Sequence, residues 1–98
     1  MFFKNSYKNQ SESQIQYAIE IEGFHPVKIA NSPGYVYSTH SHPETKLLAI
    51  LSGSMEVEAG GKKYYLEKGD KLIIPGNITH RAVVGKDGCS FFWSEKRV

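Results

Sequence analysis

From Pro26 onward, apolar residues recur in short runs separated by turn-forming residues. Val27–Ala30 is the first run, and Asn31-Ser32-Pro33-Gly34 is a turn. Tyr35–His42 is rich in β-prone residues, and Pro43, which has no N–H to give to a ladder, ends it. Leu47–Leu51 is a continuous apolar run closed by Ser52-Gly53. Met55–Ala59 alternates, with Met55 and Val57 on one face and Glu56 and Glu58 on the other. Gly60-Gly61 is a two-residue hairpin signal before Lys62–Leu66. Further turns at Glu67-Lys68-Gly69-Asp70, Pro75-Gly76-Asn77 and Gly85-Lys86-Asp87-Gly88 bound runs at Lys71–Ile74, His80–Val84 and Cys89–Trp93. Many short strands with evenly spaced turns predict an all-β sandwich or barrel.

The N-terminal part reads differently. Residues 1–10 are polar with scattered aromatics and no clear period, an arm. Ser11-Glu12-Ser13-Gln14 fits a capping box and Gly23 a helix stop, which predicts a helix over about residues 12–22. The strict alternation of Ile15, Tyr17, Ile19 and Ile21 is a strand signal and opposes it. The caps favour the helix. The expected organisation is therefore an arm and helix over residues 1–23 and a barrel over residues 24–98.

Composition narrows the function classes. A chain of 98 residues points to one domain. It can bury roughly 65% of its unfolded surface, enough for one core and one small pocket. The net charge is +2 and no long Lys/Arg run occurs, so nothing points to nucleic acid. Cys89 is the single cysteine and has no internal disulfide partner. The N-terminus has no apolar stretch long enough for a signal peptide or a membrane span, so a cytoplasmic location without membrane partners is expected.

Chemistry concentrates in the histidines. His40 and His42 are two apart on an expected strand, so their imidazoles face the same way, as two metal ligands would. His80 begins another strand 38 residues later. Taken alone, this pattern also fits surface or core histidines.

The surrounding residues add a resemblance. Gly34, His40, Ser41, His42 and Gly53 fall in register with the first cupin motif, Gly-x5-His-x-His-x(3,4)-Glu-x6-Gly. Gly69, Pro75 and His80 match the second, Gly-x5-Pro-x-Gly-x2-His-x3-Asn, and fifteen residues separate Gly53 from Gly69. Residues 24–93 thus resemble a small single-domain cupin. The resemblance implies a jelly-roll β-barrel with a site inside. It also implies that His40, His42 and His80 hold a divalent metal: iron, manganese, nickel or zinc. Small cupins are commonly homodimers, and the exposed strand edges of a lone barrel agree with that expectation.

Three motif positions depart from the pattern. Asn77 stands for a turn glycine, which asparagine tolerates because it accepts positive φ. Val84 stands for the terminal asparagine. Lys46 stands where the glutamate ligand falls, seven residues before Gly53. Three neutral histidines and a divalent ion carry +2; a glutamate would lower this to +1 and a protonated lysine raises it to +3. At ~6 Å and an effective dielectric of ~20 the lysine–metal repulsion is about 5 kcal/mol. That repulsion must be relieved. Lys46 can swing toward the barrel mouth, lose its proton on burial, meet a bridging anion, or face a metal-free barrel.

The bridging anion makes Lys46 a candidate catalytic residue acting beside the metal on an anionic small molecule. Glu44 is an alternative carboxylate ligand, two positions early for the motif. His25 lies outside both motifs and Cys89 reads as core. By strand parity, Val36 and Ser38 point inward with His40, leaving Tyr35 and Tyr37 outward against the N-terminal segment or a second subunit; Leu48 and Ile50 line the barrel beside Lys46, and Ala82 and Val84 follow His80.

Three functions compete. One is a metal-dependent enzyme on a small organic acid or carbonyl compound, of dioxygenase, isomerase or lyase type. The others are a non-catalytic small-molecule sensor and a purely structural barrel.

Overall fold

The Ser11 hydroxyl accepts a hydrogen bond from the Gln14 N–H, and the Gln14 carboxamide accepts one from the Ser11 N–H. This capping box starts helix α1 (Glu12–Ile21), and Gly23, with φ of 90°, turns the chain out of it. The caps prevail over the alternation. Ile15 and Ile19, one turn apart, are buried, while Tyr17 and Ile21 face outward. The structure, a computed structural model, describes residues 1–96; Arg97 and Val98, the end of the expected barrel segment, lie outside the described residues.

The strands are β1 (Phe2–Phe3), β2 (Phe24–Asn31), β3 (Val36–His40), β4 (Lys46–Ala59), β5 (Lys62–Glu67), β6 (Lys71–Ile74) and β7 (His80–Lys96). All pair antiparallel in one seven-stranded sheet. Two long strands organise it. β4 and β7 run against each other from Lys46↔Glu95 to Ala59↔His80. The other edge of β4 carries β6 on its first half and β5 on its second. The other edge of β7 carries β3 at Val36–His40 and β2 along its second half. Each long strand thus serves two leaves, one ordered β1-β6-β4-β7-β2 and one ordered β5-β4-β7-β3. The two leaves enclose the jelly-roll interior.

Here the structure corrects the expected segmentation. The runs 47–51 and 55–59 are one strand, as are 80–84 and 89–93. Ser52-Gly53 and Gly85–Gly88 are not chain reversals. The register shifts between Ile50 and Ser52 and between Gly53 and Met55, so these segments are bulges at which the paired strands bend from one leaf to the other. Gly53 has φ of +75°, and a Cβ there would lie 2.0 Å from the Gly88 carbonyl oxygen. The bend requires both the conformation and the close approach that only glycine allows.

Two cores follow from the sidedness of β4. Leu48, Ile50, Met55 and Val57 pack inside the barrel with Leu66, Leu72 and Phe91. Leu47 and Ala49, on the opposite face, pack with Phe92 under Ile15 and Ile19 of α1. The run is apolar throughout because the helix covers its outer face. The arm is tied down as well. Phe2 pairs with Leu72, and the buried Asp70 carboxylate accepts hydrogen bonds from the N–H groups of Asn5 and Glu67 and from the Lys4 ammonium.

Two alanine substitutions separate conformational strain from contact. Gly34 also has positive φ, +77°, but a Cβ there meets nothing within 4 Å. Gly34→Ala is expected to cost about 1 kcal/mol in urea unfolding and Gly53→Ala more than about 3 kcal/mol. Equal losses would show that the bend does not depend on the approach to Gly88.

Candidate metal centre

Tyr37 pairs with Ala82, yet His40 pairs with His80. Three steps along β3 therefore match two along β7, so β3 carries one extra residue between them. The bulge inverts the parity of the strand. Tyr37 and His40 both line the interior, while Val36 and Ser38 are exposed. The expectation that Val36 and Ser38 point inward is thus overturned, because an extra residue changes the face of everything before it. Tyr35 is exposed as expected. The N-terminal segment covers the other leaf rather than these tyrosines. Leu48, Ile50, Ala82 and Val84 lie in the interior core as parity requires.

His42 is placed by the loop that follows β6. The Asn77 N–H donates to the His42 carbonyl at 2.6 Å, and the Gly76 N–H donates to Thr45 Oγ1 at 3.3 Å. A Cβ on Gly76 would lie 2.2 Å from the Pro43 carbonyl oxygen. The Pro-Gly-Asn turn is thereby packed onto the segment that carries His42. Asn77 adopts φ of 64°, as expected of the residue that replaces a glycine.

The three histidines converge. Their ring centroids lie 4.4 to 5.3 Å apart, and one ligand nitrogen from each falls within 4.8 Å of the others. His40 Nδ1 lies against the Ser38 carbonyl, and His80 Nδ1 is 3.0 Å from the Ile78 carbonyl. A carbonyl oxygen can only accept, so both Nδ1 atoms carry a proton, and in the neutral imidazole the Nε2 atom is the one left with a free lone pair. His80 Nε2 is buried and has no hydrogen-bond partner among the described residues. An imidazole acceptor left bare in the interior costs free energy unless something binds it. Nitrogens ~2.1 Å from one ion lie roughly 3 to 3.4 Å apart, a separation that side-chain rotation reaches from the present arrangement. The donor set fits a divalent metal.

Electrostatics favour the ligating form. Burial, reinforced by the neighbouring charges of His40, Lys46 and His80, holds His42 below its ordinary value of 6.5. Burial also lowers His80, with His40 and Lys46 adding to it, against the opposing pull of the Ile78 carbonyl. Both remain neutral at pH 7, as metal ligands must.

The histidines line a cavity of about 250 Å³. Its wall is chiefly apolar, formed by Ile29, Leu48, Met55, Ile74, Phe91 and Trp93 among others. Among the described residues, no carboxylate and no lysine lines it. The Tyr37 hydroxyl is committed to Asn31 Oδ1. Trp93 stands 6.1 Å from both His42 and His80 by ring centroids.

Lys46 lies beside this wall. Its side chain is 8% exposed and its ammonium sits 5.5 Å from the Trp93 ring centroid. The charge is answered from within the chain. Nζ donates to Glu95 Oε1 at 2.8 Å and lies 3.9 Å from Glu44 Oε1. Lys46 holds the Glu95 carboxyl below the usual carboxylate range. Glu44 faces this ammonium and is not part of the histidine group. His25 is exposed, opposite Glu95 on β2. Burial raises the Cys89 thiol to about 11, in keeping with core packing.

Glu95 and Trp93 escaped the sequence reading. Only the alternation Phe91, Trp93, Glu95 hinted at their shared face, and nothing local links Glu95 to a residue 49 positions earlier.

Acid should unfold the metal-free protein through this cluster. Unfolded histidines take up protons near pH 6.5, whereas folded His42 and His80 resist. The unfolded state then binds more protons, so stability present above pH 6.5 falls as pH drops through the window beneath it. Urea midpoints measured from pH 8 to pH 5 should show the fall, and His42→Ala/His80→Ala should flatten it. An identical fall in that variant would assign the acid sensitivity elsewhere.

The cupin domain family matches residues 30–94 of the chain. None of the curated proteins matches it. Among solved structures, KdgF from a Halomonas species is 26% identical, with 78% of this chain and 71% of that one covered and a TM-score of 0.67. An RmlC-like cupin from Shewanella frigidimarina is 22% identical over 78% of this chain and 68% of that one, with a TM-score of 0.70. Oxalate decarboxylase of Bacillus subtilis, described for its Mn(II) centres, is 19% identical over 84% of this chain, with a TM-score of 0.68. This chain spans about two thirds of the first two and 23% of the decarboxylase. The latter two likenesses concern the fold alone. No helix among the described residues is long and apolar enough to cross a membrane. With the family pattern over residues 30–94 and a jelly-roll interior that gathers both motif histidine groups, the chain belongs to the cupin domain family.

Proposed function

We propose that this cupin binds a divalent metal on His40, His42 and His80 and acts with it on a small carbonyl compound or organic acid held in the cavity. The observation that carries the reading is the buried, unpartnered Nε2 of His80, aimed into a cluster whose other histidines lie within ligand reach. When bound, a divalent metal supplies a Lewis acid that polarises an oxygen of the ligand, a chemistry shared by oxygenase, isomerase and lyase reactions.

The chain's own residues do the rest. Ser38 and Ile78 carbonyls orient two of the imidazoles through their Nδ1–H groups. Three protein ligands leave coordination positions free for the substrate. The apolar wall receives the body of the ligand in a space of about 250 Å³. Lys46 enters the proposal as a charge beside the site, acting through its field.

A sensing or storage role is the second reading. It is favoured by the lining itself, which offers no carboxylate or amine to move a proton. Turnover on a panel of diketones and organic acids would separate the two. The active form is proposed to be a homodimer that covers the exposed Tyr35 and Val36.

Protein purified without a metal-affinity tag should contain close to one metal ion per chain, and His80→Ala should contain almost none. Added metal at a hundredfold over Kd should stabilise the wild type by about 2.7 kcal/mol and leave His80→Ala unmoved. Light scattering on the same sample should give twice the chain mass of 11.0 kDa. Equal metal retention by both proteins would refute the three-histidine site, and a monomeric mass the dimer.

A further inference from the structure

The jelly-roll places a lysine where the family's motif places a ligand carboxylate, and a carboxylate directly opposite it. Lys46 and Glu95 are register partners on β4 and β7, and the Lys96 N–H donates to the Thr45 carbonyl at 3.0 Å just beyond them. The backbone itself therefore aligns the two side chains. Both share the interior parity of their strands, Lys46 with Leu48 and Ile50, Glu95 with Trp93 and Phe91.

Their exposure differs. Lys46 is 8% exposed while Glu95 is 54% exposed. The lysine is thus held in the protein by a carboxylate that reaches in from the rim. The same ammonium leans on Trp93, which stands against both His42 and His80. Among the described residues Lys46 has no other carboxylate within hydrogen-bond distance, Glu44 lying 3.9 Å away.

We propose that Glu95 is a positioning residue for the metal site: it neutralises Lys46 across the β4–β7 pair and so cancels, from the facing strand, the positive charge that the lysine brings to the motif position. The proposal rests on the three-histidine metal reading. Without Glu95, a largely buried ammonium would add its charge to that of the ion, answered only by Glu44 at 3.9 Å. With Glu95, histidines, metal, lysine and carboxylate together carry the same +2 as three histidines and metal alone. The pair keeps the ammonium turned toward the rim. Lys46 is then unavailable as a hook for an anionic ligand, and the site favours ligands held by the metal and the apolar wall.

Zinc affinity measured by competition with a chromogenic chelator tests this, since it needs no substrate and no turnover. Glu95→Gln should weaken zinc binding on the order of tenfold, the repulsion being partly screened at the rim. Lys46→Met/Glu95→Gln should return to within about threefold of the wild type, because removing the ammonium removes the need for its partner. A merely structural role for Glu95 would leave the double variant as weak as the single one. Should Glu95→Gln fail to fold, Lys46→Met against Lys46→Met/Glu95→Gln decides instead. The lone Glu95 carboxylate should then make zinc bind several-fold tighter in Lys46→Met, and equal affinities would overturn the proposal. Zinc affinity in folded Glu95→Gln within twofold of the wild type, or no rescue in the double variant, would overturn it too. Wild-type protein that leaves all zinc with the chelator would overturn the metal reading and this proposal together.

Discussion

The pairing of β4 with β7 along their whole length is the constraint on which the remaining architecture depends. Four residues of the site and its surroundings lie on these two strands. His80 begins β7, Trp93 and Glu95 lie near its end, and Lys46 begins β4. Because the two strands are antiparallel, the end of β7 comes back to the start of β4. Glycines at the bends let the pair pass from one leaf to the other without breaking, and Gly53 against Gly88 is the tightest of these approaches. β3 then hangs on the first half of β7 and delivers His40 opposite His80. His40 and His80 are thus brought together by ladder register, with the β3 bulge choosing which side chains face inward, while His42, past the end of β3, is held by the turn after β6.

A site built this way has an electrostatic problem and a local answer to it. A buried lysine beside three histidines opposes any cation they would hold. Desolvation alone would make such an ammonium expensive. The chain answers with Glu95 at 2.8 Å and, more distantly, Glu44 at 3.9 Å. Both carboxylates are partly exposed, so they approach the lysine without being buried themselves. The interior keeps an apolar wall and three imidazoles as its principal chemistry. That division, with charge at the mouth and nitrogen donors within, is what distinguishes this barrel from one with a carboxylate ligand in the motif position.

Much of this was legible in the sequence, for identifiable reasons. Helix α1 was readable because a capping box acts over four residues, and the cap decided against the alternation of Ile15, Tyr17, Ile19 and Ile21. The histidine cluster was readable because motif spacing encodes which strands meet. The long strands were not, since a glycine at positive φ marks a bulge and a turn equally well, and only pairing tells Gly53 from Gly60. The inward Tyr37 was hidden by one extra residue in β3, which no composition signals. The partner of Lys46 was hidden by distance along the chain. Among the ways to relieve the lysine's charge, intramolecular pairing required the β4–β7 register, which exists only in the folded protein.

X-ray absorption spectroscopy on the zinc-loaded protein tests the central claim most directly, because it counts imidazoles around the ion without any assumption about substrate. The account requires three imidazole nitrogens at roughly 2.0 to 2.1 Å, completed by light oxygen donors from solvent. A shell with one or no imidazole, or with a sulfur ligand from Cys89, would contradict it.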